Sequence, residues 1–145
     1  MRTYANGDFF NKLLTDLQKV IIYTKVVSGH GNRSEEANFT STDKIYLLNA
    51  KEVWNGNSYD TAINNTRQLD YYVAKGVTTS SYSNAIKQYI GSKAYWWLRS
   101  AGSDGSGSFL FVSSDGNWNF SHATDNIGFA PRFPYWLVPF EKNNF

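Results

Sequence analysis

The chain has 145 residues, of which 41% are hydrophobic and 18% charged, with a formal net charge of +2. That size fits one domain around one core, and that balance excludes a disordered chain. The scattered basic residues exclude the stripe that nucleic acid needs, no apolar run approaches the ~18 residues of a membrane-spanning helix, and cysteine is absent, which excludes disulfides and thiolate chemistry. His30 and His122 are the only histidines, which argues against zinc. Met1 to Gly7 lacks a charged-then-apolar leader, so no signal peptide is read here. The expectation is a protein not secreted by that route, or a piece of a longer one. Aromatic residues reach 17%, more than one small core readily hides, so some Tyr and Trp are expected as stiff surface contacts.

In chain order, Asp8 precedes apolar positions at Phe9, Phe10, Leu13, Leu14, Leu17 and Ile21, which predicts a helix with Asp8 as its N-cap. Val20 to Val27 is β-branched and aromatic and predicts a strand. Ser28 to Thr42 reads as a loop, and Lys44 to Leu48 as a short buried strand. After a loop at Asn55 to Ser58, Asp60 to Val73 reads as a helix, with Gly76 placed to end it. Tyr82, Ala85, Ile86, Tyr89 and Ile90 recur at helical spacing and predict a helix over Ser80 to Ile90, stopped by Gly91.

The texture then changes. Tyr95 to Ser100 reads as a strand, Ala101 to Ser108 as a Gly/Ser/Asp loop, and Ser108 to Ser113 as a second strand. Asp115-Gly116 signals a hairpin that returns along Asn117 to His122. Ile127 to Val138 is a last strand region, bent or set at an edge by Pro131 and Pro134. The prediction is an α+β domain over residues 1–145. Two or three helices fill its first two-thirds, and antiparallel hairpins fill the last third.

Three segments carry a family likeness: Trp96-Trp97-Leu98-Arg99-Ser100, Val112-Ser113-Ser114-Asp115-Gly116 and Gly128-Phe129-Ala130-Pro131-Arg132-Phe133. With Ser41 to Leu48, Lys51-Glu52-Val53 and the amphipathic start, they resemble a bacterial and phage domain family of unknown function with WWLRSP, VNSDG-type and GVRPAF motifs. Here Ala101 replaces the family's proline, and Arg132 follows Pro131 where the family's arginine precedes it. That family resembles the C-type-lectin-like fold, in the branch of the formylglycine-generating enzymes and the variable proteins of diversity-generating retroelements. The enzymes of that branch use cysteine, so the likeness does not carry their catalysis to this chain. The variable proteins are binding proteins that display a diversified C-terminal stretch. Adenine substitution in an AAC codon yields Ser, Asp, Tyr, His, Phe or Gly, and such residues are dense between Gly102 and Asn126. Trp118 cannot arise that way.

The resemblance and the hairpin pattern together nominate a ligand surface at Asp104, Ser106, Phe109, Phe111, Ser113, Asn117, Asn119, Phe120, His122 and Asp125. Strand alternation sets Leu110 and Val112 toward the core and Phe109 and Phe111 away from it. The competing reading is that a second layer buries both phenylalanines. Trp96 and Trp97 point to opposite sides, and packing is the plainer role for both, although one ring could serve a sugar. Arg99 and Arg132 are expected to anchor loops by bonding carbonyls or carboxylates.

Asp104, Asp115 and Asp125 form no EF-hand-like run, and Asp115 is explained by the turn, so no metal or cofactor is expected. No nucleophile–base pair is visible, and the domain is read as non-enzymatic. The first functional expectation is a receptor-binding module. A glycan-binding lectin, or a structural or oligomerisation module of a phage or cell-surface assembly, stands beside it. The expected partner is a protein or glycan on a target cell surface, with a homo-oligomer open and with no nucleic acid and no membrane insertion. A phage virion or cell surface is the expected setting.

Overall fold

A computed structural model describes residues 1–33, 35–55, 66–103 and 107–132. It is α+β, with short helices and four groups of antiparallel strands. Hairpins are not confined to the last third. Two of the four groups lie earlier in the chain, pairing β1 (Thr24–Ser28) with β2 (Phe39–Asp43) and β4 (Lys87–Tyr89) with β5 (Ser92–Ala94).

Helical backbone begins at α1 (Arg2–Tyr4), widens into a π turn over Ala5–Phe9, and resumes as α2 (Thr15–Val20). Asp8 therefore lies inside the helical run and caps nothing. The apolar spacing is broken at Leu14, whose backbone is extended and whose side chain is 81% exposed. Ala5, Phe10 and Ile21 close over Ile45 in a small cluster joined by Phe9, Leu13, Leu17 and Phe129. Asn6 fixes this end of the molecule to the middle of the chain. Its Oδ1 accepts from the Lys44 and Ile45 amides, and its Nδ2 donates to the Ile45 carbonyl.

The strand expected from Val20 starts only at Thr24, and β2 occupies part of the stretch expected as a loop. Only Asp43 of β2 is buried, so the strand shows no apolar alternation to read. Its Thr40 and Thr42 suit a strand through β-branching. The strand expected at Lys44 to Leu48 shrinks to β3 (Tyr46–Leu47) because Asn6 holds the two preceding amides. It pairs with β9 (Pro131–Arg132), all that is described of the expected last strand region besides a bridge between Gly128 and Trp96. Residues 133–138 of that region lie outside the described residues.

Helix α3 (Ala50–Val53) begins with a capping box: Asn49 Oδ1 accepts from the Lys51 amide and Glu52 Oε2 accepts from the Asn49 amide. Of the helix expected over Asp60 to Val73, residues 60–65 lie outside the described residues and 66–69 are not helical. The helix that forms is α4 (Asp70–Ala74).

The helix expected over Ser80 to Ile90 does not form. A 3₁₀ turn at Ser83–Ala85 leads into the β4–β5 hairpin. Its loop is Ile90-Gly91, with φ of +49° and +75°. Positive φ at both positions is the geometry of a type I′ turn, which favours Asn-Gly. Tyr89 and Ile90, which imitated a helical face in sequence, project into solvent.

The main core forms where β6 (Trp96–Ala101), β7 (Ser108–Val112) and β8 (Trp118–His122) pair in that order. Strand β6 is an outer strand of this sheet, and its outward side donates Trp97 N to Gly128 O and Arg99 N to Leu48 O. Trp96, Leu98, Leu110 and Val112 pack on Val53, Trp54, Tyr72 and Val77. At the β7–β8 turn Gly116 has φ +92°, and a Cβ there would lie 2.1 Å from the Tyr82 carbonyl, so only glycine lets the turn dock.

Glu52 joins these parts. Its Oε2 accepts from Arg99 Nη1 at 2.5 Å and its Oε1 from Arg132 Nη1 at 2.6 Å. Arg99 also donates to the carbonyls of Leu47 and Val27. Both arginines thus bond carbonyls or carboxylates, as their sequence positions led us to expect. Tyr46 lies under both guanidiniums, 5.6 Å from each.

Three outcomes follow. Leu110→Ala, at a fully buried site, lowers the urea-unfolding free energy by about 2–5 kcal/mol. Glu52→Gln leaves two arginines without their carboxylate and costs about 3 kcal/mol in the same assay. Ile90→Asn relieves a β-branched residue in left-handed backbone and raises stability by about 1 kcal/mol. An unchanged or lowered melting temperature for Ile90→Asn would show the turn to be unstrained.

Candidate functional site: the β7–β8 hairpin and its cleft

The hairpin register decides which candidate residues can act together. Ser108 faces His122, Phe109 faces Ser121, Leu110 faces Phe120, Phe111 faces Asn119 and Val112 faces Trp118. Directly opposed residues share a face. Leu110 and Val112 point into the main core and Trp118 packs partly against it. Phe120 and His122 lie on that same face, but beyond the edge of the core, and are exposed.

Phe109, Phe111 and Asn119 occupy the other face. Phe111 is buried, with Trp97 edge-on at 5.9 Å and Tyr95 at 5.8 Å. The exposure expected of it is therefore absent, because a second aromatic layer covers it. Trp96 and Trp97 do point to opposite sides, and both are buried, so neither presents a free ring to a sugar.

Phe109 is half-buried at the wall of a cleft of about 760 Å³. Val26, Ile45, Leu98 and Phe129 give this cleft an apolar lining, and Ala101, Gly107 and Ala123 bring the hairpin's flanking loops to its rim. His30 also lines it, with Nδ1 buried and without a hydrogen-bond partner among the described residues. Arg2 and Asp43 pair at 2.8 Å in the same wall. Nothing in the sequence reading pointed to His30 or to β2 as part of this surface, because β2 carried no strand signal.

The remaining candidates serve the hairpin itself. Ser113 Oγ donates to Asp115 and also to the Asn117 carbonyl. Asp115 Oδ1 accepts from the Asn117 amide at 3.0 Å. These bonds, Ser113's first, hold the Asp115 carboxyl below the usual carboxylate range. Asp115 is thus a turn residue, as its Asp-Gly context implied. At the far end Ser121 Oγ donates to Asp125, whose amide bonds the His122 carbonyl. Asp104 and Ser106 lie outside the described residues.

Asn117 and Asn119 have a more particular task. Ser113 N donates to Asn117 O, and Ala123 N donates to Gly107 O. Antiparallel pairs alternate between hydrogen-bonded and not, so the amides of Trp118, Phe120 and His122 face outward. The Asn117 side chain accepts from Trp118 N at 2.9 Å and the Asn119 side chain from Phe120 N at 2.8 Å. Two of the edge amides are thereby satisfied by the strand's own asparagines.

The candidate residues therefore divide. Phe120 and His122 form an exposed edge, Phe109 faces the cleft, Phe111 is core, and Ser113, Asn117, Asn119 and Asp125 hold the turns and the edge strand. Among the described residues no three His, Asp or Glu side chains gather into a metal-sized group, and no helix is long and apolar enough to cross a membrane.

No curated protein and no solved structure matches the chain. One family does match, over residues 1–136. The chain therefore belongs to the family described as a domain of unknown function (DUF6273).

Proposed function

We propose that this protein is a non-enzymatic, receptor-binding domain of C-type-lectin-like fold that recognises a protein on a target cell surface. The contact surface is the open edge of the β7–β8 hairpin together with the adjoining cleft. The observation that carries this reading is the pairing of an exposed Phe120–His122 edge with an apolar cleft reached by Phe109 from the same hairpin. Aromatic anchors beside small polar loops are the composition of a paratope. Diversification by a retroelement is part of the proposal. Its natural positions are those whose side chains leave both the core and the turns free: Phe109, Phe120 and His122.

The other readings have less support. A lectin stacks sugars on open aromatic faces, and both tryptophans of β6 are buried. Edge-to-edge oligomerisation needs free strand amides, and Asn117 and Asn119 already occupy two of them. A phage or cell-surface setting fits the resemblance in the sequence and is proposed with it.

The test is a screen of displayed cell-surface proteins and glycans, with and without a chelator, followed by the variant Phe120→Ser/His122→Ser. The expected result is a protein ligand held independently of the chelator, and a loss of about tenfold or more in affinity for the variant at an unchanged melting temperature. A glycan ligand released by the chelator supports the lectin reading instead. Equal binding by the variant would remove this edge from the contact surface. Related gene copies that differ only at adenine-derived codons between Gly102 and Asn126, near a reverse-transcriptase gene, are expected if the surface is diversified.

A further inference from the structure

A second recess, of about 440 Å³, lies behind the wall formed by Val26, Tyr46 and Arg99, which line both it and the large cleft. Its charge is unbalanced. Lys25, Arg67, Arg99 and Arg132 line it, and Glu52 is the one lining carboxylate among the described residues. Both Glu52 oxygens are already engaged, by Arg99 and Arg132, and one accepts from the Asn49 amide as well. The Arg99–Glu52–Arg132 group therefore keeps one net positive charge. Its side chains are only 13%, 11% and 33% exposed respectively. Partly buried charge without a counter-charge is costly.

Among the described residues the neighbouring groups do not cancel it. Lys25, on the exposed side of β1, makes no ion pair or hydrogen bond among the described residues. Arg67 pairs with Asp70, but both side chains stand mostly in water, where such a pair is weak and exchanges readily. Arg132 uses only Nη1 on Glu52, so Nε and Nη2 are without partners among the described residues. Thr24, Thr66 and Tyr46 also line the space. Guanidinium forks and an ammonium group around a small polar recess match the geometry of an oxyanion.

We propose that this recess binds a small oxyanion, a phosphate or carboxylate group, between Lys25, Arg67 and Arg132. This site is separate from the Phe120–His122 edge and does not rest on the receptor-binding reading. Binding adds the missing negative charge and neutralises the Arg99–Glu52–Arg132 hub.

The experiment is calorimetric titration of the full chain with inorganic phosphate and, in parallel, with acetate, at one fixed low ionic strength. Wild type is expected to take up one phosphate saturably per chain. Lys25→Gln and Arg67→Gln each weaken that binding about tenfold, the worth of one charge-assisted contact. Neither changes the melting temperature measured in chloride, because neither side chain is packed in a core. Uptake of acetate in place of phosphate assigns the site to carboxylates and upholds the proposal. Absence of saturable uptake of either anion, or uptake indifferent to both substitutions, overturns it.

Discussion

The fold depends on one carboxylate. Glu52 takes part in the capping box of α3, accepts from Arg99 on β6, and accepts from Arg132 on β9. Those partners are 47 and 80 residues away in sequence. A buried ion group of this kind contributes little net energy over an apolar equivalent, but removing one member is expensive. It therefore acts as a register device. Arg99 also bonds the Val27 and Leu47 carbonyls, so a single guanidinium fixes β1, β3 and β6 against each other. Tyr46, under both guanidiniums, has its phenol pushed to a higher pKa first by burial, with Arg132 opposing.

Around that hub the packing falls into two parts. The larger core seats β6 and β7 on α3, Tyr72 and Val77. The smaller one lies under the N-terminal helices, over Ile45. Asn6 links them by holding the Lys44–Ile45 backbone, the segment just before β3. Where the two parts meet, the β1–β2 ribbon and the hairpin's second face leave the large cleft open between them. The cleft follows from building the domain from small sheets that share edges and do not merge into one.

How much of this was legible in the sequence varies by mechanism. The Trp96 to Ser100 strand and the Asp115-Gly116 hairpin were legible because dense apolar runs and obligatory turn residues report backbone directly. The fit of Arg99 and Arg132 to carbonyls and a carboxylate was legible in kind, but their shared partner Glu52 was not, since a contact across 80 residues leaves no local pattern. Strand β2 was missed because a ribbon with one buried residue has no apolar period. The β4–β5 hairpin was misread as a helix because Tyr89 and Ile90 continued the spacing of Tyr82, Ala85 and Ile86. Their exposure shows that this spacing marked no buried face. Phe111 was placed outside by simple alternation, which is valid for a sheet with one covered face. Tyr95 and Trp97 cover the second face here.

The position of β8 gives the candidate surface its physical character. It is an outer strand of its sheet, so its side chains leave the core early: Trp118 still packs against the core, whereas Phe120 and His122 are exposed. Two of its three outward amides are met by the adjoining side chains of Asn117 and Asn119. The turns at its two ends are closed by Ser113 with Asp115 and by Ser121 with Asp125, again locally. A strand whose edge is partly met by its own asparagines and whose ends are tied by its own turns places few demands on Phe120 and His122. Substitution at Phe120 or His122 changes what the surface can touch while leaving β6, β7 and the Glu52 hub in place. That separation of a rigid interior from an undemanding edge lets a small domain vary its contacts without losing its fold.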